Sequence, residues 1–94
     1  MQYKHEYGVE LEGLIGKIGK DAKLMREFLF DILSPAEYRE LAVRWQIIKL
    51  LDDKMPHREI AKKLKVGVAT INRGARELAN KKGGFRTALD KFYK

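Results

Sequence analysis

Residues 57–76, HREIAKKLKVGVATINRGAR, decide how this chain is read. Ile60, Ala61, Leu64, Val66 and Ile71 fall where two short helices joined by Lys65-Val66-Gly67 must pack on each other, and Ala61 is small where they cross. The spacing predicts a helix from Pro56 to about Leu64 and another from Val68 to about Lys81, with Ile71, Ala75 and Leu78 facing inward. That is the pattern of a helix-turn-helix over about 57–76. The turn of such a motif often holds glycine in a left-handed backbone conformation. Here the residue is Lys65, and a side chain there costs roughly 1–2 kcal/mol.

The polar residues Thr70, Asn72 and Arg73 lie on the early turns of the second helix, the part that meets base edges in a major groove. With Val68 and Ala69 they make Val68–Asn72 the stretch expected to enter DNA. Arg58, Lys62, Lys63 and Lys65 surround it as phosphate partners, and His57 is a helix-start residue near phosphate. Taken singly, Thr70 is a tolerated helix residue, Asn72 a solvated one and the lysines a soluble face; it is their combination that points to duplex DNA.

Charge agrees. The formal net charge is +7, but residues 54–94 hold 12 Lys/Arg against 3 Asp/Glu while residues 1–53 hold 8 against 10. A basic half of this kind suits a polyanion. Neutralising several phosphates makes binding strongly salt-dependent.

Outward from the motif, apolar residues recur at three and four, and no alternating strand pattern persists, so the chain is expected to be all-α with six short helices in a single domain over 1–94. The first helix, about 4–18, carries Leu11, Leu14, Ile15 and Ile18 on one face, but Gly8, Gly13 and Gly16 each cost it about 1 kcal/mol relative to alanine. Asp21 is placed to cap the second, about 22–33, which is apolar on so many sides that it needs cover around it. Ser34-Pro35-Ala36-Glu37 is a capping box with proline at the first helical position, opening a third helix to about Asp52 with Leu41, Trp45 and Ile48 on one face. Gly83-Gly84 precedes a last helix, about 85–93, whose Phe85, Leu89 and Phe92 face the core.

Ninety-four residues bury a thin core, so a partner subunit is expected from length alone. With no cysteine there is neither a disulfide nor a thiolate metal site, and His5 and His57 have no metal-ligand spacing. No apolar run spans a membrane and no signal-peptide stretch leads the sequence, which reads as cytoplasmic. Ser34 has no evident base, so no enzyme is read here.

Leu33-Ser34-Pro35, Arg44, Met55-Pro56-His57-Arg58-Glu59 and Gly67-Val68-Ala69-Thr70-Ile71-Asn72-Arg73-Gly74 together resemble the tryptophan repressor family over roughly residues 10–93. The resemblance implies an intertwined homodimer that binds an operator in double-stranded DNA under control of an amino-acid corepressor. In that family the corepressor sits between two arginines, matched here by Arg44 and Arg73. Ser34 matches a threonine near the ligand, while Thr70 and Gly74 match residues lining the pocket or the adjoining DNA surface. Guanidinium planes suit a flat side chain and a carboxylate.

Glu77 departs from the family, which has a serine there holding the ligand's ammonium group. Glutamate either binds the ammonium as a charge partner, or fills the pocket and changes which ligand fits, or pairs with Arg73 or Lys81. L-tryptophan or another amino acid therefore stays open as the effector. The link at Asp52-Asp53-Lys54 is also one residue shorter than in the family. Two rival readings stand beside the ligand-responsive repressor: a ligand-independent DNA-binding or architectural protein, and an interaction protein whose paired helices dock another protein.

Overall fold

The computed structural model describes residues 4–94. Six α-helices follow one another, with no strand among the described residues: α1 (His5–Ile18), α2 (Ala22–Ile32), α3 (Pro35–Asp52), α4 (His57–Leu64), α5 (Val68–Leu78) and α6 (Gly84–Phe92). Number and order are those predicted. The contacts divide the chain into two compact units, one ending at Tyr38 and one beginning at Arg39.

In the first unit the local signals act as their chemistry requires. The first N–H groups of a helix lack intrahelical acceptors. At α2 one of them is satisfied by Asp21, whose Oδ1 accepts from the Leu24 N–H at 3.1 Å. At α3 the capping box closes in both directions: the Glu37 N–H donates to Ser34 Oγ at 3.1 Å, and the Ser34 N–H donates to Glu37 Oε1 at 2.8 Å. That backbone donor holds the Glu37 carboxyl below its ordinary range.

Apolar cover in this unit is sparse. Ile18 is buried, but no residue of α2 is, and Tyr7, Val9, Leu11, Leu14, Leu24, Phe30 and Ile32 are all between 39% and 54% exposed. A groove of about 570 Å³ runs along α1 between Tyr7, Leu11, Leu14 and Lys17. The surface that the sequence marked as needing cover has little of it from this unit.

The second unit holds the better core. Ile47 of α3, Ile60 of α4 and Ile71 of α5 pack together with Val43, Leu50, Leu51, Met55, Ala61, Leu64 and Val66. Ile48 and, on α6, Leu89 are buried as well. Trp45 packs on Phe85 and Tyr93 with ring centroids 6.2 and 5.6 Å away, and its Nε1–H donates to Tyr93 Oη at 3.0 Å. Arg86 of α6 donates to Asp52 Oδ1 at 3.0 Å and to Asp90 Oδ1 at 3.1 Å, tying the last helix to the end of α3.

Three expectations are corrected. α5 ends at Leu78 rather than near Lys81: Asn80 takes the Lys82 N–H on its Oδ1 at 3.1 Å and the Gly83 N–H on its carbonyl at 3.0 Å, a local turn that competes with helix. Leu41 is half exposed because the partners of α3 gather around Ile47–Leu51, and Leu41 lies about 10 Å earlier along the helix. Phe92, expected inward, is 73% exposed at the last residue of α6, one turn past Leu89.

Candidate nucleic-acid interface

The second unit displays α4 and α5 as a pair. α3 stops where Lys54 takes a positive φ of 67°, with its N–H donating to the Leu51 carbonyl at 3.0 Å and the Met55 N–H to the Leu50 carbonyl at 3.1 Å. This is a left-handed helix end of the kind glycine usually supplies, with the C-terminal apolar contact provided by Met55 and Leu50 in the shared core. It completes the turn within the short Asp52-Asp53-Lys54 link.

α4 ends the same way. Lys65 has φ 57° and ψ 47°, its N–H and that of Val66 both donating to the Ala61 carbonyl. The glycine of the turn, Gly67, is at φ −74°, in extended geometry before α5. The left-handed position expected of Lys65 is therefore real, and glycine does not relieve it. Ile60 and Ile71 are both completely buried where the two helices meet, so the outward residues are carried on a fixed base.

Outward from that base, His57, Arg58, Lys62, Lys63, Lys65, Val68, Ala69, Thr70, Asn72, Arg73 and Arg76 are exposed. The ion pairs among the described residues involve Arg44, Arg86 and Lys94, none of them a cation of α4 or α5. Among the described residues no cation of this surface is engaged in an ion pair. No side chain caps α5, so the leading N–H groups of Val68 and Ala69 face outward at the positive end of the helix, beside Thr70. Of the residues predicted to meet DNA, Lys65 lies in the turn after α4 and the others lie on α4 or α5.

One relationship was beyond the sequence. His57 Nδ1 lies 3.0 Å from Asn72 Oδ1, joining the first residue of α4 to the second turn of α5. The amide oxygen only accepts, so the ring nitrogen donates. The pair is 15 residues apart and belongs to two helices, so no periodicity reveals it.

The residues matched to the ligand are more scattered. Ser34 is engaged in the cap of α3 in the first unit. In the second, Arg44 Nη2 donates to Glu40 Oε1 at 2.7 Å, with both side chains more than half exposed. Gly74 of α5 lies against Ile47, Ile48 and Leu51 of α3. Arg44 is one turn before Ile47 along α3, and Arg73 adjoins Gly74, so both arginines flank that contact. Glu77, one turn after Arg73, is exposed and forms no ion pair with Arg73 or Lys81 among the described residues. A separate cleft of about 320 Å³, lined by Leu51, Lys54, His57, Leu78 and Arg86 among others, includes none of these ligand candidates.

Residues 11–93 match the family described as Trp repressor protein. The chain belongs to the Trp repressor family. It is 43% identical over 54 residues to the Trp operon repressor homolog of Actinobacillus succinogenes, covering 56% of this chain and 54% of that protein. It is 34% identical over 79 residues to the Trp operon repressor homolog of Chlamydia trachomatis serovar L2, covering 83% of each. No solved structure gave a significant match. Membership of the Trp repressor family makes this chain a DNA-binding transcription regulator of the repressor type, consistent with the uncompensated basic face of α4 and α5. Among the described residues no helix is long and apolar enough to cross a membrane, and no cluster of His, Asp and Glu is suited to a metal.

Proposed function

We propose that α4 and α5 form a helix-turn-helix with which a homodimer of this chain binds a pseudo-palindromic operator, one α5 in each of two successive major grooves about 34 Å apart. The observation that carries this reading is the exposed, unpaired basic surface set around Thr70 and Asn72 on two helices locked together by Ile60 and Ile71. Arg58, Lys62, Lys63 and Lys65 meet phosphates. Val68, Ala69, Thr70, Asn72 and Arg73 meet the groove. The exposed apolar residues of α1 and α2 supply the surface an intertwined partner buries.

In the same reading a small amino-acid corepressor lies beside the α3–α5 contact, its carboxylate met by Arg44 and Arg73 and its ammonium by Glu77. L-Tryptophan is the effector this family suggests. The Glu40 partner of Arg44 does not oppose it, since exposed ion pairs are worth about 0–1 kcal/mol and are readily exchanged. The ligand acts by binding the DNA-competent arrangement better than the others.

Selection of duplex sequences by the purified protein, followed by retardation assays on the selected site, tests the DNA reading. Thr70→Ala, Asn72→Ala in one chain abolishes specific retardation; unchanged binding sinks the assignment of α5. Calorimetric titration with tryptophan and other amino acids tests the pocket, and a ligand that binds wild type, Arg44→Ala and Arg73→Ala equally well refutes it. A ligand-independent DNA-binding protein is the second reading, favoured by the exposed placement of Arg44, Arg73 and Glu77, none of which lines either of the two clefts described above. Absence of thermal stabilisation by any amino acid would select it.

A further inference from the structure

Among the described residues, Asn72 is the residue of α5 whose side chain is hydrogen-bonded to another helix. Its Oδ1 accepts from His57 Nδ1 at 3.0 Å, while both residues remain exposed on the basic surface. We propose that His57 is a positioning residue that sets base specificity by turning the Asn72 amide so that only its NH₂ group is offered to DNA. This rests on the reading of α5 as the groove-entering helix.

The argument is one of donors and acceptors. Asparagine reads adenine by two bonds at once, Oδ1 accepting from the N6 amino group and Nδ2 donating to N7. Both polar atoms must then lie against the same base edge. The oxygen keeps a second lone pair, but a carbonyl held on His57 at the start of α4 cannot turn freely with Nδ2 onto one base edge, so Nδ2 is presented as the leading donor. A lone donor is satisfied by N7 of either purine, by O6 of guanine or by O4 of thymine, and it opposes the N4 amino group of cytosine. At the base pair beneath Asn72 the protein therefore selects an acceptor edge and forgoes the two-bond preference for adenine.

His57 makes this orientation possible because an N–H at the δ position reaches Oδ1. Asparagine at 57 offers a donor at that same position, and alanine offers none. The substitution series thus separates the hydrogen bond from mere bulk at the head of α4.

Selection from randomised duplexes is carried out with wild type, His57→Ala, His57→Asn and the double variant His57→Ala, Asn72→Ala. The expected result is a shift of about 10-fold toward adenine at one base pair of each half-site in His57→Ala, no such shift in His57→Asn, and loss of the gained preference in the double variant. Other positions keep their preferences in all four proteins. If His57→Ala weakens binding evenly at every position and leaves the base preferences unchanged, the proposal is overturned while the helix assignment stands. If wild type selects no sequence, both fall. Nitrogen-15 NMR of unmodified protein is independent of any variant's folding: the neutral His57 ring carries its proton on Nδ1, and a ring protonated on Nε2 instead refutes the proposal.

Discussion

Gly74 lies tightly against Ile47: a methyl group on Gly74 would lie 3.2 Å from Ile47 Cγ2, 3.4 Å from Ile48 Cδ1 and 3.6 Å from Leu51 Cδ1. A larger side chain here must push against α3. Gly74→Leu is expected to destabilise the fold by about 1–3 kcal/mol through overpacking, seen as a lower midpoint in urea. The smaller Gly74→Ala opposes a tight contact with about 1 kcal/mol of helix propensity and changes stability much less. An unchanged midpoint in Gly74→Leu would show that the contact has slack.

Lys65 stands in the left-handed region at φ 57°. Lys65→Gly removes a backbone cost of roughly 1–2 kcal/mol, less the greater freedom glycine has in the unfolded chain. A rise in thermal midpoint is the expected outcome, and a β-branched Lys65→Val lowers it. The lysine charge is also lost, so operator affinity falls in Lys65→Gly even as stability rises.

Asp52 links α3 to α6, and its carboxyl is held below the ordinary range mainly by the hydrogen bond from Arg86, against the opposing effect of burial. A carboxyl with a depressed folded-state pKa contributes stability that is complete above its unfolded value of about 3.9 and is lost as pH falls through the folded value. The gap in thermal midpoint between wild type and Asp52→Asn should thus be constant from about pH 7 to pH 5 and shrink below about pH 4. A gap that widens on acidification contradicts this role.

Leu14 and Phe30 are 44% and 50% exposed on α1 and α2. If a second copy of the chain covers them, sedimentation equilibrium gives a dimer for wild type, and Leu14→Glu, Phe30→Glu lowers both the dimer fraction and the stability. A wild-type monomer with native helicity would remove the proposed partner.

Operator binding should fall steeply with salt. The four phosphate partners of each chain make eight contacts in the dimer and correspond to a slope of about −7 in log K against log salt, and Lys62→Ala, which removes one from each chain, reduces that slope by about 2. A slope near zero would place the basic face outside the interface.

Much of this protein was legible before folding because the signals are local. Asp21, the Ser34–Glu37 box and the apolar spacing through Ile60, Leu64 and Ile71 act within a few residues of where they are written, and six helices followed from them. The basic excess after residue 54 pointed to a polyanion in the same way. The sequence alone thus determined the helices, their order and the family. Tertiary structure decided what depends on distant neighbours: that Leu41 and Phe92 stay exposed, that Asn80 stops α5 early, and that Gly74 sits against Ile47. It also joined His57 to Asn72. Periodicity reports which face a residue takes on its own helix, whereas a hydrogen bond between helices depends on how the chain turns between them, here through the left-handed Lys65.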